Sequence, residues 1–286
     1  MSNPVFDNNA IFRDPKKSRQ QAQRGRQRQG TVIQDSAVTA APYDSAALNQ
    51  MYQAPSATTS QTGRMTYDDV IMKTGGLLTV VVVVAALTWV LVPPALMMPV
   101  MIVGALVGFV LGLVNSFKKS PSPALILTYG VAQGVFVGAI SNFYNSLWDG
   151  VVLQAVLATT ATFAACLVLF RSGKVRVTPK FTRWLIIAMV GYLVFSLVNV
   201  LLMVLNVGGD GMFGPLRGGF LGVVVGLFAV GLAAAMLIVD FDSIKRGVEQ
   251  GIPAKFAWTA AFGLVVTLIW MYLEFLRLIA ILRGSD

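Results

Sequence analysis

Four ionisable side chains stand at or inside apolar runs, and these are the groups with chemistry to offer. Glu274 and Arg277 lie in the stretch Leu268 to Ile279. Asp240 and Asp242 close the apolar run that begins near residue 219. A charge placed at mid-bilayer costs about 2.5–3.5 kcal/mol on insertion scales. Side chains of this kind face the interior of a bundle and mark ion or proton paths. Glu274 and Arg277 are three residues apart, so they share one helix face. One reading makes them a local ion pair that eases insertion. The other has Glu274 facing carboxylates of another span and titrating with them. Burial and a nearby like charge both perturb carboxyl titration, which would supply a proton switch without histidine. Asp242, Arg277, Gln133 and Asn199 are the supporting polar residues; interhelical hydrogen bonding is the plainer role for the two amides.

What is missing is equally informative. The 286 residues contain no histidine and a single cysteine, Cys166. Ser-His-Asp and Cys-His catalysis, imidazole metal sites, internal disulfides and thiolate zinc cages are therefore excluded. No nucleophile–base constellation stands out, so neither an enzyme nor a bound cofactor is expected. Hydrophobic residues make up 56% of the chain and charged residues 12%. Soluble domains carry about 25% charged residues. A water-facing surface cannot be covered at half that density, so the chain reads as all-α and membrane-embedded, with the lipid bilayer as its first partner.

The carboxylates must be positioned by helices. Seven stretches, near 74–92, 95–115, 123–143, 151–170, 184–205, 219–240 and 257–281, are long enough to cross about 30 Å of hydrocarbon at 1.5 Å per residue. Backbone groups in lipid must pair within their own segment. Lysine and arginine collect on the cytoplasmic side of a membrane. Nineteen of the 22 fall in the N-terminal segment and the even-numbered connections, with Arg217 and Arg283 opposite and Arg277 inside span seven. That places the N-terminus in the cytoplasm and the C-terminus outside. Residues 1–65 read as a disordered basic, polar cytoplasmic tail, and 66–286 as the seven-helix domain. The basic stretch Lys16 to Arg28 lacks stacking aromatics, so no nucleic-acid partner is expected.

Three spans carry glycine at every fourth position: Gly104, Gly108 and Gly112; Gly130, Gly134 and Gly138; Gly218, Gly222 and Gly226. Each trio lies along one helix face and lets backbones approach closely. Packing within the bundle, a homodimer face and a sliding surface for gating all fit that pattern, and the oligomeric state stays open.

Two segments carry a family resemblance. Leu237-Ile-Val-Asp-Phe-Asp-Ser-Ile-Lys resembles the sixth-span signature of the Bax-inhibitor family, in its bacterial YccA-like branch. Trp270-Met-Tyr-Leu-Glu-Phe-Leu-Arg-Leu-Ile resembles the seventh-span signature, and Ala132-Gln-Gly-Val-Phe-Val-Gly-Ala-Ile-Ser is similar to the third-span pattern. The likeness covers about residues 66–283. It implies a seventh helix enclosed by the other six, residence in the bacterial plasma (inner) membrane, and a carboxylate pair between spans six and seven that latches a calcium leak. Asp240 and Glu274 would be that pair, a joint pH sensor and ion pathway with weak, transient calcium between the carboxylates. Some bacterial relatives are instead described as modulators of a membrane-bound protease. Glutamate stands at 274 where aspartate is more usual, and Gln133 where an acid is common. A simple hairpin turning near Gly251 would set Asp240 level with residue 262, about 18 Å from Glu274 along the helix.

Overall fold

In the computed structural model, residues 63–173, 177–207 and 212–284 are described. They form seven long helices: α1 Tyr67–Leu91, α2 Pro94–Phe117, α3 Pro123–Leu147, α4 Val151–Arg171, α5 Pro179–Val204, α6 Gly219–Glu249 and α7 Ala257–Arg283. All seven are long and apolar enough to cross a membrane. A 3-10 turn, Ala254–Phe256, leads into α7. Proline occupies the first helical position of α2, α3 and α5, where its fixed φ suits the helix and its missing N–H costs nothing. Thr66 and Asp69 form a capping box that starts α1 seven residues before the apolar run. That earlier start puts Lys73 on the helix, where its ammonium donates to Ala254 O.

The helix that carries Glu274 is the core of the bundle. In α7, 67% of the central stretch is buried, against 44% or less in the others. It packs against α1, α3, α4 and α6, while α5 packs on α6 and α2 on α3. The enclosure is thus built mainly by four helices, with α2 and α5 outside them. Small residues permit it: Ala257, Ala261 and Ala280 of α7 are fully buried, as are Ala229 and Ala233 of α6.

The glycine stripes are used inside the chain. A Cβ on Gly134 or Gly138 would strike the Val81 or Ala85 carbonyl of α1, at 2.8 and 2.4 Å. Gly130 meets Leu77 of α1, Gly104 and Gly108 meet Phe136 and Gln133 of α3, and Gly112 meets Tyr129. Gly222 and Gly226 admit Ile281 and Leu278 of α7. Gly218 departs from the pattern: it caps α6, and a Cβ there would meet nothing.

Besides the early start of α1, helix α5 begins five residues sooner and α3 ends four residues later than the sequence reading, and two further boundaries differ. The sixth helix continues to Glu249: Asp242 and Arg246 pair along it one turn apart (2.7 Å), Gly247 stays helical against Met65 and Ile252, and Gly251, with a φ of +63°, turns the chain after its end. Residues 63–65, assigned to the tail from sequence, pair with that connection. Met65 N donates to Ile252 O (2.7 Å), and Ala254 N donates to Gly63 O (2.8 Å). The Met65 side chain is buried beside Gly247. The rest of the tail, with its basic stretch, lies outside the described residues.

Candidate functional site: two polar centres on the seventh helix

Asp240 sits in the last third of α6 and faces α7. Thr267 donates its hydroxyl to Asp240 Oδ2 at 2.8 Å, and the same hydroxyl lies 3.1 Å from Gly263 O. A cavity of about 250 Å³ opens beside the carboxylate, lined by Ser243, Ile252, Phe256, Thr259 and Gly263 and walled by Met65. Among the described residues, Asp240 has this one side-chain hydrogen bond and no ion pair. A carboxylate keeps about four acceptor positions, so most of its capacity is directed at the cavity.

Glu274 lies two turns further along α7 and is surrounded by donors. Its Oε1 accepts from the Tyr192 hydroxyl of α5, from Trp270 Nε1 (3.3 Å) and from Arg277 Nη1 (3.2 Å). Its Oε2 pairs with Arg277 Nη2. Both side chains are over 90% buried. The Tyr192 oxygen also accepts from Arg277 (3.3 Å) and from Arg217 Nη2 (3.0 Å). Arg217, in the connection between α5 and α6, donates to Ser196 as well. Its guanidinium lies 5.2 Å over the Tyr192 ring and 5.7 Å over Phe195. Burial first, then the neighbouring Arg277, lowers the Arg217 pKa from its ordinary value. Arg277 thus pairs with the carboxylate directly, while Arg217 reaches it through the Tyr192 hydroxyl and is held by hydrogen bonds and cation–π contact.

The two carboxylates do not share a partner. Asp240 is level with Thr267, and seven residues separate Thr267 from Glu274, about 10.5 Å along the helix. The expected latch between Asp240 and Glu274 is accordingly replaced by two distinct centres. The shift from 262 to 267 has a local cause: the connection turns at Gly251 and then spends residues 254–256 on a 3-10 turn before α7 begins. The cavity is lined by Asp240 and not by Glu274. Among the described residues no three or more His, Cys, Asp or Glu side chains gather at one point.

The supporting residues divide differently from the sequence reading. Arg277 belongs to the Glu274 centre. Asp242 pairs with Arg246 near the end of α6. Gln133 packs on Gly108 of α2, away from both centres. Asn199 is buried but faces neither: its Nδ2 donates to Phe213 O (2.9 Å) and its Oδ1 accepts from Leu216 N (3.0 Å). It staples the connection that carries Arg217. Thr267, Tyr192, Ser196 and Arg217 were not singled out. Arg217 carried a signal, being the exception to the charge asymmetry; a hydroxyl on an apolar helix carries very little.

Compared with known proteins, the chain matches the family model described as Bax inhibitor 1 like over residues 3–284. No curated protein matches it.

Proposed function

The chain belongs to the Bax inhibitor 1 like family, and on that premise we propose that it is a slow, proton-sensitive cation leak of the plasma membrane, with calcium as its substrate. The observation that carries the reading is the Asp240 carboxylate, desolvated between two helices yet open to a cavity and free of any ion pair among the described residues. Calcium takes oxygen ligands, and conduction needs sites weak enough to leave. One carboxylate with the hydroxyls of Ser243 and Thr259 on the cavity wall suits passage better than retention. Protonating Asp240 removes the charge that draws a cation in, so flux falls as protons bind there.

In this reading the Glu274 centre is the closed barrier on the path. Its two guanidiniums repel cations, and its links among α5, α7 and the connection carrying Arg217 must loosen for ions to pass. The charge asymmetry favours an orientation with the Asp240 cavity toward the cytoplasm and Arg217 toward the outside. Residence in a bacterial inner membrane and kinship with the YccA-like branch belong to the same proposal.

The test is calcium entry into liposomes carrying the purified chain and an entrapped indicator. Entry above protein-free liposomes is expected. Its absence, with a membrane protease co-purifying, would favour the second reading: a non-conducting regulator of such a protease. The full engagement of Glu274 as a structural ion pair supports that alternative.

A further inference from the structure

A crevice of about 580 Å³ opens between α1 and α4 and penetrates to the enclosed helix. Its floor includes Ser141, Ile269 and Tyr272, all less than 9% exposed. Its mouth is continuous with the bilayer-facing surface, since the lining residues Val82, Val90 and Val156 are exposed. The hydroxyls within it are already satisfied: Thr159 and Thr160 donate to Ala155 O and Val156 O, and Ser141 and Tyr272 bond each other at 2.6 Å. A polar ligand would surrender its hydration and gain nothing in return. An unfilled gap of this size would forfeit the dispersion contacts that hold interiors together.

Length identifies the occupant. The lining runs on α1 from Leu78 to Val90 and on α4 from Val152 to Phe163. At 1.5 Å per residue these walls are about 18 and 16 Å long. One leaflet of hydrocarbon is about 15 Å thick, half of the bilayer's roughly 30 Å. Trp89 lines the crevice two residues before α1 ends, the level at which tryptophan anchors at the headgroup boundary. We propose that the crevice holds one acyl chain of a phospholipid, entering from the leaflet at the C-terminal end of α1 and reaching α7 at Tyr272. Tyr272 lies between Thr267 and Glu274 on that helix, so the chain touches the segment that joins the two polar centres. The proposal stands whether or not the protein conducts ions.

The test uses the full chain in phosphatidylcholine–phosphatidylglycerol liposomes with a trace of phospholipid bearing a diazirine in mid-chain. After irradiation, adducts are mapped by mass spectrometry. Adducts on the buried Ser141 or Tyr272 are expected, besides those on exposed residues such as Leu153 and Val168. The double variant Ala86→Phe, Thr160→Phe, at lining positions that face the opening, should lose the floor adducts at least tenfold and keep the exposed ones. Adducts confined to exposed residues in the wild type overturn the proposal, as does floor labelling that persists in a variant whose exposed labelling is normal. Because the wild-type map decides alone, a misfolded variant does not rescue the idea. A second arm uses a free diazirine fatty acid at the same membrane fraction. Floor labelling by that probe but not by the phospholipid also overturns it.

Discussion

Replacing Glu274 with glutamine should unfold the bundle about as readily as replacing its partner Arg277, and more readily than any other single polar change in it. The side chain is only 6% exposed and is the one negative charge in contact with Arg277 and Tyr192 among the described residues. Orphaning one partner of a buried ion pair costs about 3–5 kcal/mol. Glutamine keeps a carbonyl oxygen for Tyr192 and Trp270, so the loss belongs at the lower end, about 3 kcal/mol. Side-chain hydrogen bonds inside membranes average only about 0.6 kcal/mol each. Tyr192→Phe, which removes the hydroxyl shared by Glu274, Arg217 and Arg277, should therefore cost no more than about 2 kcal/mol. The assay is equilibrium unfolding in mixed micelles, followed by circular dichroism over a denaturing-detergent titration. Arg277→Gln alone should also cost about 3 kcal/mol. The double variant should cost about the same as either single change, leaving a coupling energy near 3 kcal/mol. Strict additivity, or a Glu274→Gln variant within about 0.5 kcal/mol of wild type, would refute the claim that this pair clamps the core.

Other consequences can be checked in the same assay. Gly138→Ala drives a methyl group into the Ala85 carbonyl, 2.4 Å away, and should destabilise by about 1–3 kcal/mol; Gly231→Ala points into open space and should stabilise α6 by up to about 1 kcal/mol. Thr267→Val removes the donor to Asp240. Because the cavity lets water replace that hydroxyl, the expected cost is about 1 kcal/mol, the low end for an unsatisfied group. Asn199→Ala frees two backbone bonds to residues 213 and 216; limited proteolysis should then cut the connection between α5 and α6 faster, while α1 to α4 resist as before.

The fold was largely readable because each span announces itself twice, by its apolar length and by the prolines and charges that bound it. Pro94 and Pro123 mark helix starts, whereas Pro179 starts α5 five residues before the span read from hydropathy; the striped glycines other than Gly218 meet neighbours where their spacing predicts, and Gly247 packs on Met65 outside any stripe. The sites were less readable. Residue types identified Asp240, Glu274 and Arg277 as buried charges, and Glu274 with Arg277 as a pair on one face. Which helix faces each one depends on axial offset, and that offset was set by a bend at Gly251 and one 3-10 turn, features that hydropathy does not encode. Five residues of shift were enough to give Asp240 a threonine partner. The contribution of Tyr192 and Arg217 was hidden for a related reason: a lone tyrosine in a span and a lone arginine in a connection acquire their role from tertiary contact.

The central claim is that Asp240 alone, not an Asp240–Glu274 pair, carries the proton response. Calcium entry into liposomes, measured across pH for wild type and Asp240→Asn at matched protein density, tests it most directly. The account predicts a wild-type leak that falls as pH is lowered, and an Asp240→Asn leak at least tenfold smaller and flat with pH. The same pH-dependent flux in both proteins would contradict it.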